Sequence, residues 1–224
     1  MYTLNIILNI GCILILSYLA GSFPTSIIVA KVLKGIDIRK FGSGNAGATN
    51  TFRVLGWKAG LAVACIDVFK GFAATFWISK ISFFGTPLNF DMLVQVLAGS
   101  AAVLGHCYTV FADFKGGKGV AASAGMLIAL FPAAFFICFG VFTIVLLSSG
   151  YVSLSSLVAA FALPVTLFVL RLVFVKHVSI SLLIFSVAIF AFIFYSHRNN
   201  IKRLILGKEN RFKSLKIFSK NIIG

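Results

Sequence analysis

The chain has 224 residues, 60% of them hydrophobic and only 11% charged, with mean hydropathy +1.05 and formal net charge +15. Apolar runs of this extent exclude an ordinary soluble domain and predict an all-α polytopic membrane bundle, one transmembrane domain over residues 1–224. The basic residues flank the apolar spans, which the positive-inside rule and anionic lipid explain without nucleic acid as a partner.

The first predicted span runs from about Leu4 to Val32. Met1–Asn9 carries no Lys or Arg, so no cleaved signal peptide with a basic leading region is expected. Gly21, Ser22, Pro24, Thr25 and Ser26 interrupt the span, and Pro24 predicts a kink. A polar connection, Lys31–Trp57, follows. Within it Gly42, Gly44 and Gly47 match G-x-G-x-x-G literally, but no strand precedes them, so a dinucleotide site is excluded. The stretch reads instead as a glycine-rich turn bearing Ser43, Asn45, Thr49 and Asn50, with Arg53 one helical turn past Thr49. Ser and Asn suit helix capping, and Arg53 suits a bidentate grip on phosphate or carboxylate.

A second span is predicted over about Arg53–Ile78. It holds Asp67 and Lys70, three apart and therefore on one face. Charges at that depth should face the bundle interior, as an ion pair or as the floor of a polar site. Lys80–Asp91 is a short loop with Gly85 and Pro87, and Met92–Thr109 is a third span.

Leu104–Ala122 then packs His106, Asp113, Lys115, Lys118 and four glycines into one stretch between apolar spans. In Lys115-Gly116-Gly117-Lys118-Gly119, glycines permit a tight turn and lysines add charge. That composition predicts a phosphate cradle, with a helix starting at Val120 aimed at it. It is not a nucleotide P-loop, because the G-x-x-x-x-G-K-[ST] spacing is absent.

Gly119–Leu130 is short for a crossing. Pro132 precedes a helix over about Ala133–Ser148, Ser149-Gly150 turns the chain, and Leu154–Leu172 follows with a kink expected at Pro164. His177 lies in the next connection, Val178–Tyr195 is the last span, and the tail from Ser196 is basic. Seven helices, N-terminus outside and C-terminus cytoplasmic, put the Lys31–Arg53 connection, the Lys115–Lys118 connection and the basic tail on the cytoplasmic face, with the Arg171–Lys176 loop the weakest point; a five-span alternative would merge the short helices around Pro132. Cys12, Cys65, Cys107 and Cys138 form no metal or disulfide pattern, and neither metal nor cofactor is expected. No Asp–His or Glu–His pair can be read from the spacing. The cationic, amide-rich inventory suits two anionic groups at a membrane surface. Either an enzyme acting on phosphorylated substrates or a transporter of organic phosphates would fit it.

Ser43–Asn50 (SGNAGATN), Gly105–Ala121 (GHCYTVFADFKGGKGVA) and His197–Leu204 (HRNNIKRL) with Glu209 resemble, in order, three motifs of the bacterial membrane acyl-phosphate-dependent glycerol-3-phosphate acyltransferases. Asp67–Gly71 (DVFKG) is also similar to that family. The resemblance implies acyl transfer from a fatty acyl phosphate to the sn-1 hydroxyl of glycerol 3-phosphate, giving lysophosphatidate, at the inner membrane with the site facing the cytoplasm. The soluble enzyme that makes acyl phosphate would be a partner. Under the resemblance, Ser43, Arg53, His106, Lys118, His197 and Asn200 are expected to be catalytic. Gly44, Asn45, Thr49, Asn50, Asp67, Lys70, Lys115, Gly116, Gly117, Gly119, Arg198 and Glu209 are expected to bind substrate.

Overall fold

The computed structural model describes residues 2–84, 91–173 and 178–212. Gly85, Pro87, Lys176, His177 and the tail beyond Phe212 lie outside them. The described chain folds into ten α-helices: α1 (Tyr2–Ser22), α2 (Thr25–Lys34), α3 (Ala48–Leu55), α4 (Trp57–Phe76), α5 (Asp91–Cys107), α6 (Val120–Leu130), α7 (Pro132–Ser149), α8 (Val152–Val173), α9 (Ile180–Ser196) and α10 (Arg198–Ile205).

The breaks follow local chemistry. Pro24 lacks an N–H and separates α1 from α2. Gly35 closes α2 in the left-handed conformation, its N–H donating to the Lys31 carbonyl at 2.9 Å. Pro132 opens α7 at a first-turn position, where no N–H is required. Ser179 caps α9 by accepting from the Leu182 N–H at 3.1 Å. One boundary differs from the sequence expectation. Arg53 does not begin the second span; it belongs to the separate amphipathic helix α3, which Gly56 (φ 90°) divides from α4. Pro164 lies inside a single helix, α8, as the sequence reading had it.

α1 packs on α5, α4 on α6, and α7 on α8. The α4–α6 crossing is close because glycines face backbone from both sides. A Cβ on Gly71 would lie 2.0 Å from the Ala122 carbonyl oxygen, and one on Gly125 would lie 1.8 Å from that of Val68. The core between α5, α6, α8 and α9 is apolar, with Met126, Leu167 and Leu182 fully buried.

Among the described residues, five helical segments are long and apolar enough to cross a membrane, the first of them taken across the Pro24 break as Thr3–Lys34. α9 and α10, bent by 61° at His197, would make a sixth. α6, with 11 residues, rises about 16 Å against a hydrocarbon core of about 30 Å, so it reaches only part-way. Each of the seven apolar segments read from the sequence is helical, but length and composition admit five or six crossings.

Candidate active site

The ends of α3, α6, α8, α9 and α10 meet at one side of the bundle. There they enclose the polar end of a cavity of about 370 Å³. Ser43, Asn45, Thr49, Arg53, His106, Lys118, His197, Asn200 and Glu209 line that end. The same cavity continues between apolar helices and is lined there by Leu127, Phe135, Phe139, Phe142, Leu163 and Ile189. Phe135, Phe139 and Phe142 form a stripe at helical spacing along α7. Their rings are nearly parallel, with centroids 5.7 Å and 6.5 Å apart.

The polar end is built on Glu209. This carboxylate is buried and accepts from Ser153 Oγ (3.0 Å), Asn200 Nδ2 (2.7 Å) and Arg203 Nε (2.7 Å). Burial opposes its ionisation, but the three donors outweigh that and hold the carboxyl below its usual range. Asn200 is thereby fixed, and its Oδ1 accepts from Lys118 Nζ. Burial, reinforced by the positive charges of Arg203 and Arg53, lowers the Lys118 ammonium to about 8. Just past the end of α9, His197 Nδ1 lies 2.8 Å from the Ile193 carbonyl oxygen. Donation there makes Nδ1 the protonated nitrogen and leaves Nε2 as acceptor. Burial and the Lys118 charge push this imidazole down to about 4. Arg53 donates to the Asn210 carbonyl at 3.3 Å, and its guanidinium stands over the Phe212 ring at 5.7 Å from the centroid. The chain after α10 therefore folds back onto α3.

Gly119 enters α6 with φ 88°, and Gly119, Val120, Ala121 and Ser123 all line the cavity. The first intrahelical bond of α6 is Ser123 N–H to the Gly119 carbonyl, so the N–H groups just before it have no helical acceptor. Lys118, Arg53 and this helix start concentrate positive charge at the polar end of the cavity.

Several expected ligand residues are used otherwise. The Gly116 and Gly117 N–H groups do not cradle a ligand; they donate to the Cys107 and His106 carbonyls at 2.9 Å and 3.0 Å. Their glycine requirement is steric, because a Cβ on Gly116 would lie 2.0 Å from the His106 carbonyl oxygen and one on Gly117 would lie 2.1 Å from His106 Nε2. Lys115 is exposed on the loop, away from the cavity lining. Gly44 (φ 73°) is also outside it and shapes the turn through its N–H bond to the Phe41 carbonyl. Asn50 reaches the cavity wall, but its amide is consumed locally. Oδ1 accepts from the Ser43 N–H at 2.8 Å, and Nδ2 donates to the carbonyls of Ile38 and Phe41. It is the clamp that holds the glycine turn. Arg198 is exposed, stacked on Tyr195 and bonded to its carbonyl. Lys70 lies behind the site, paired with Asp67 at 3.0 Å.

Other residues are added. Arg203 and Ser153 hold Glu209, and Arg39 ties the two glycine loops together. It pairs with Asp37 at 2.8 Å and donates to the Ala112 carbonyl at 2.9 Å. For Arg203 a signal existed: His197, Asn200 and Arg203 recur every third residue, on one face of α10. Ser153 had none. The structure also forms a carboxylate–histidine pair that spacing could not reveal, with Asp67 Oδ1 3.6 Å from His106 Nδ1.

The family model described as glycerol-3-phosphate acyltransferase matches residues 11–207. The chain belongs to the glycerol-3-phosphate acyltransferase family. Among curated members, glycerol-3-phosphate acyltransferase of Chlorobium phaeobacteroides (strain DSM 266 / SMG 266 / 2430) is 45% identical over 92% of this chain and 97% of its own. The Chlorobaculum tepidum acyltransferase is 47% identical over 89% and 94%. Two crystal structures of PlsY (YgiH), an integral membrane glycerol 3-phosphate acyltransferase, superpose closely. The glycerol 3-phosphate form has TM-score 0.80 at 38% identity and covers 93% of this chain and 98% of that one. The lysophosphatidic acid form has TM-score 0.78 at the same identity. An all-helical membrane acyltransferase is what the sequence motifs implied. Residues of the three stretches Ser43–Asn50, Gly105–Ala121 and His197–Glu209 line the polar end of one cavity.

Proposed function

We propose that this acyltransferase moves a fatty acyl group from acyl phosphate to the sn-1 hydroxyl of glycerol 3-phosphate, releasing lysophosphatidate and phosphate. One observation carries the reading: a single cavity joins a cationic end to an apolar end. An acyl phosphate has that shape, with a phosphate for Lys118, Arg53 and the start of α6, and a tail for the chamber of Phe135, Phe139, Phe142 and Leu163. The glycerol 3-phosphate and lysophosphatidic acid forms of the PlsY relatives support the acceptor and the product.

The chemistry asks little of a nucleophile. The hydroxyl oxygen bonds to the acyl carbon, the carbon–oxygen bond to phosphate breaks, and the hydroxyl proton must go to a base. A phosphate has its second pKa near about 6, whereas His197 stands at about 4. The phosphate is therefore the better acceptor, and His197 Nε2 orients the hydroxyl. Holding both substrates in one cavity supplies much of the acceleration. The test uses purified protein with glycerol 3-phosphate and either palmitoyl phosphate, acyl-CoA or acyl carrier protein as donor. Lysophosphatidate formed from the acyl phosphate alone is expected, with His197→Gln retaining more activity than His197→Ala. Equal use of acyl-CoA would overturn the donor assignment.

The orientation that accompanies this reading has the N-terminus outside, the C-terminus inside and the polar end of the cavity at the cytoplasmic face of the inner membrane. A single cysteine at Ser43, with the four native cysteines removed, should be protected from an impermeant maleimide in intact cells. Labelling from outside would reverse the topology.

A further inference from the structure

Asp67 lies in mid-helix, in a span where an unneeded charge is costly to bury. A buried ion pair is a poor source of stability by itself, since apolar replacements of similar volume are often as good or better. The Asp67–Lys70 pair is not closed on itself, however. Asp67 Oδ1 also accepts from Thr25 Oγ1 at 3.1 Å and faces His106 Nδ1 at 3.6 Å. Lys70 Nζ donates to the Phe23 carbonyl at 3.0 Å. The carboxylate is thus anchored to the α1–α2 break on one side and addresses the imidazole on the other.

His106 is buried and lines the cavity, with Gly117 packed against its Nε2 side. A carboxylate opposite Nδ1 favours the tautomer with the proton on Nδ1 and leaves Nε2 as acceptor. It also sets the ring plane. At 3.6 Å the contact is an electrostatic one that a small movement would tighten into a hydrogen bond, as happens at sites that close on substrate.

We propose that Asp67 is a positioning residue that acts through His106, held in place by Thr25 and Lys70, and that it does not bind substrate. The proposal rests on the acyl-transfer reading for its kinetic test but not for its spectroscopic one. In the kinetic test, Asp67→Asn, His106→Gln and the double variant are assayed with acyl phosphate and glycerol 3-phosphate. Asp67→Asn should lower kcat about 10–100-fold, the range for outer partners that orient a functional histidine. It should leave KM for glycerol 3-phosphate within about twofold, and the double variant should be no worse than His106→Gln. Multiplicative losses in the double variant, or a raised KM with unchanged kcat, would overturn the proposal. Nitrogen NMR of histidine-labelled protein gives the independent readout. Wild type should show His106 as the Nδ1-protonated tautomer, and Asp67→Asn should shift it. Thr25→Val, which keeps the carboxylate but removes one of its donors, serves if Asp67→Asn does not fold. His106 signals unchanged in whichever of the two variants folds would refute the coupling. Failure of wild type to transfer acyl groups would defeat the activity reading and leave this measurement intact.

Discussion

Lys118→Ala is expected to lower kcat/KM for acyl phosphate by about 10²–10³-fold while the protein remains folded. Removing one member of a buried, hydrogen-bonded charged set costs about 2–5 kcal/mol, which is about 30- to several thousand-fold. Lys118 sits in a loop, and its side chain bonds to Asn200 rather than filling the apolar core, so the loss should fall on catalysis. A pH dependence accompanies it. Burial has brought Lys118 down to about 8. The lysine is charged below that value and neutral above it, so kcat/KM for the free enzyme should decline as pH rises through about 8. Bound phosphate favours the charged form, so the decline in kcat should lie at higher pH. Lys118→Arg keeps its charge throughout the accessible range. It should remove this alkaline limb at a reduced rate, because a planar fork does not replace a compact ammonium. An alkaline limb that persists unchanged in Lys118→Arg would assign it to another group.

Gly116→Ala is expected to be nearly as damaging as Gly116→Leu, each costing on the order of 10²-fold or more in kcat. The first added carbon already meets the His106 carbonyl oxygen at 2.0 Å. The loop must then leave the end of α5, carrying Lys118 and the start of α6 with it. A displacement of about 1 Å at a site of this kind is worth about 10²-fold. Gly44→Ala should be much milder. Its Cβ would meet only the Arg39 carbonyl oxygen, at 3.3 Å, and the left-handed backbone (φ 73°) would cost about 1–2 kcal/mol. Steady-state kinetics on the three variants, with melting temperatures in detergent, check this. A Gly116→Ala enzyme near wild-type activity, or a Gly44→Ala enzyme as impaired as Gly116→Leu, would show that the loop tolerates the shift or that the first turn touches substrate.

Much of the architecture follows from local chemistry and was legible residue by residue. Apolar runs in a chain with so few charges must become helices in a bilayer, where every backbone group needs an internal partner. Pro24, Pro132 and Gly150 mark helix boundaries because each imposes or permits a particular backbone conformation. The motif residues Ser43, Asn45, Arg53, Lys118, His197, Asn200 and Glu209 were marked by the resemblance of their motifs to a known family, and they line one cavity. What sequence alone could not decide is direction. Lys115 and Lys118 have the same chemistry three residues apart, yet only Lys118 reaches the cavity, because the glycines between them fold back onto the end of α5. Arg198 and Arg203 share a helix, and Glu209, arriving from the returning chain, engages only Arg203. Asp67 and His106 lie on different helices, and their approach depends on how α4 and α5 pack around the Pro24 break. The chamber of Phe135, Phe139, Leu163 and Ile189 was equally hidden. Its residues are apolar like their lipid-facing neighbours, and only the packing of α6, α7, α8 and α9 separates the two surfaces. Local composition sets where the chain is helical and where it is polar. The long-range contacts that orient side chains have no local pattern to announce them.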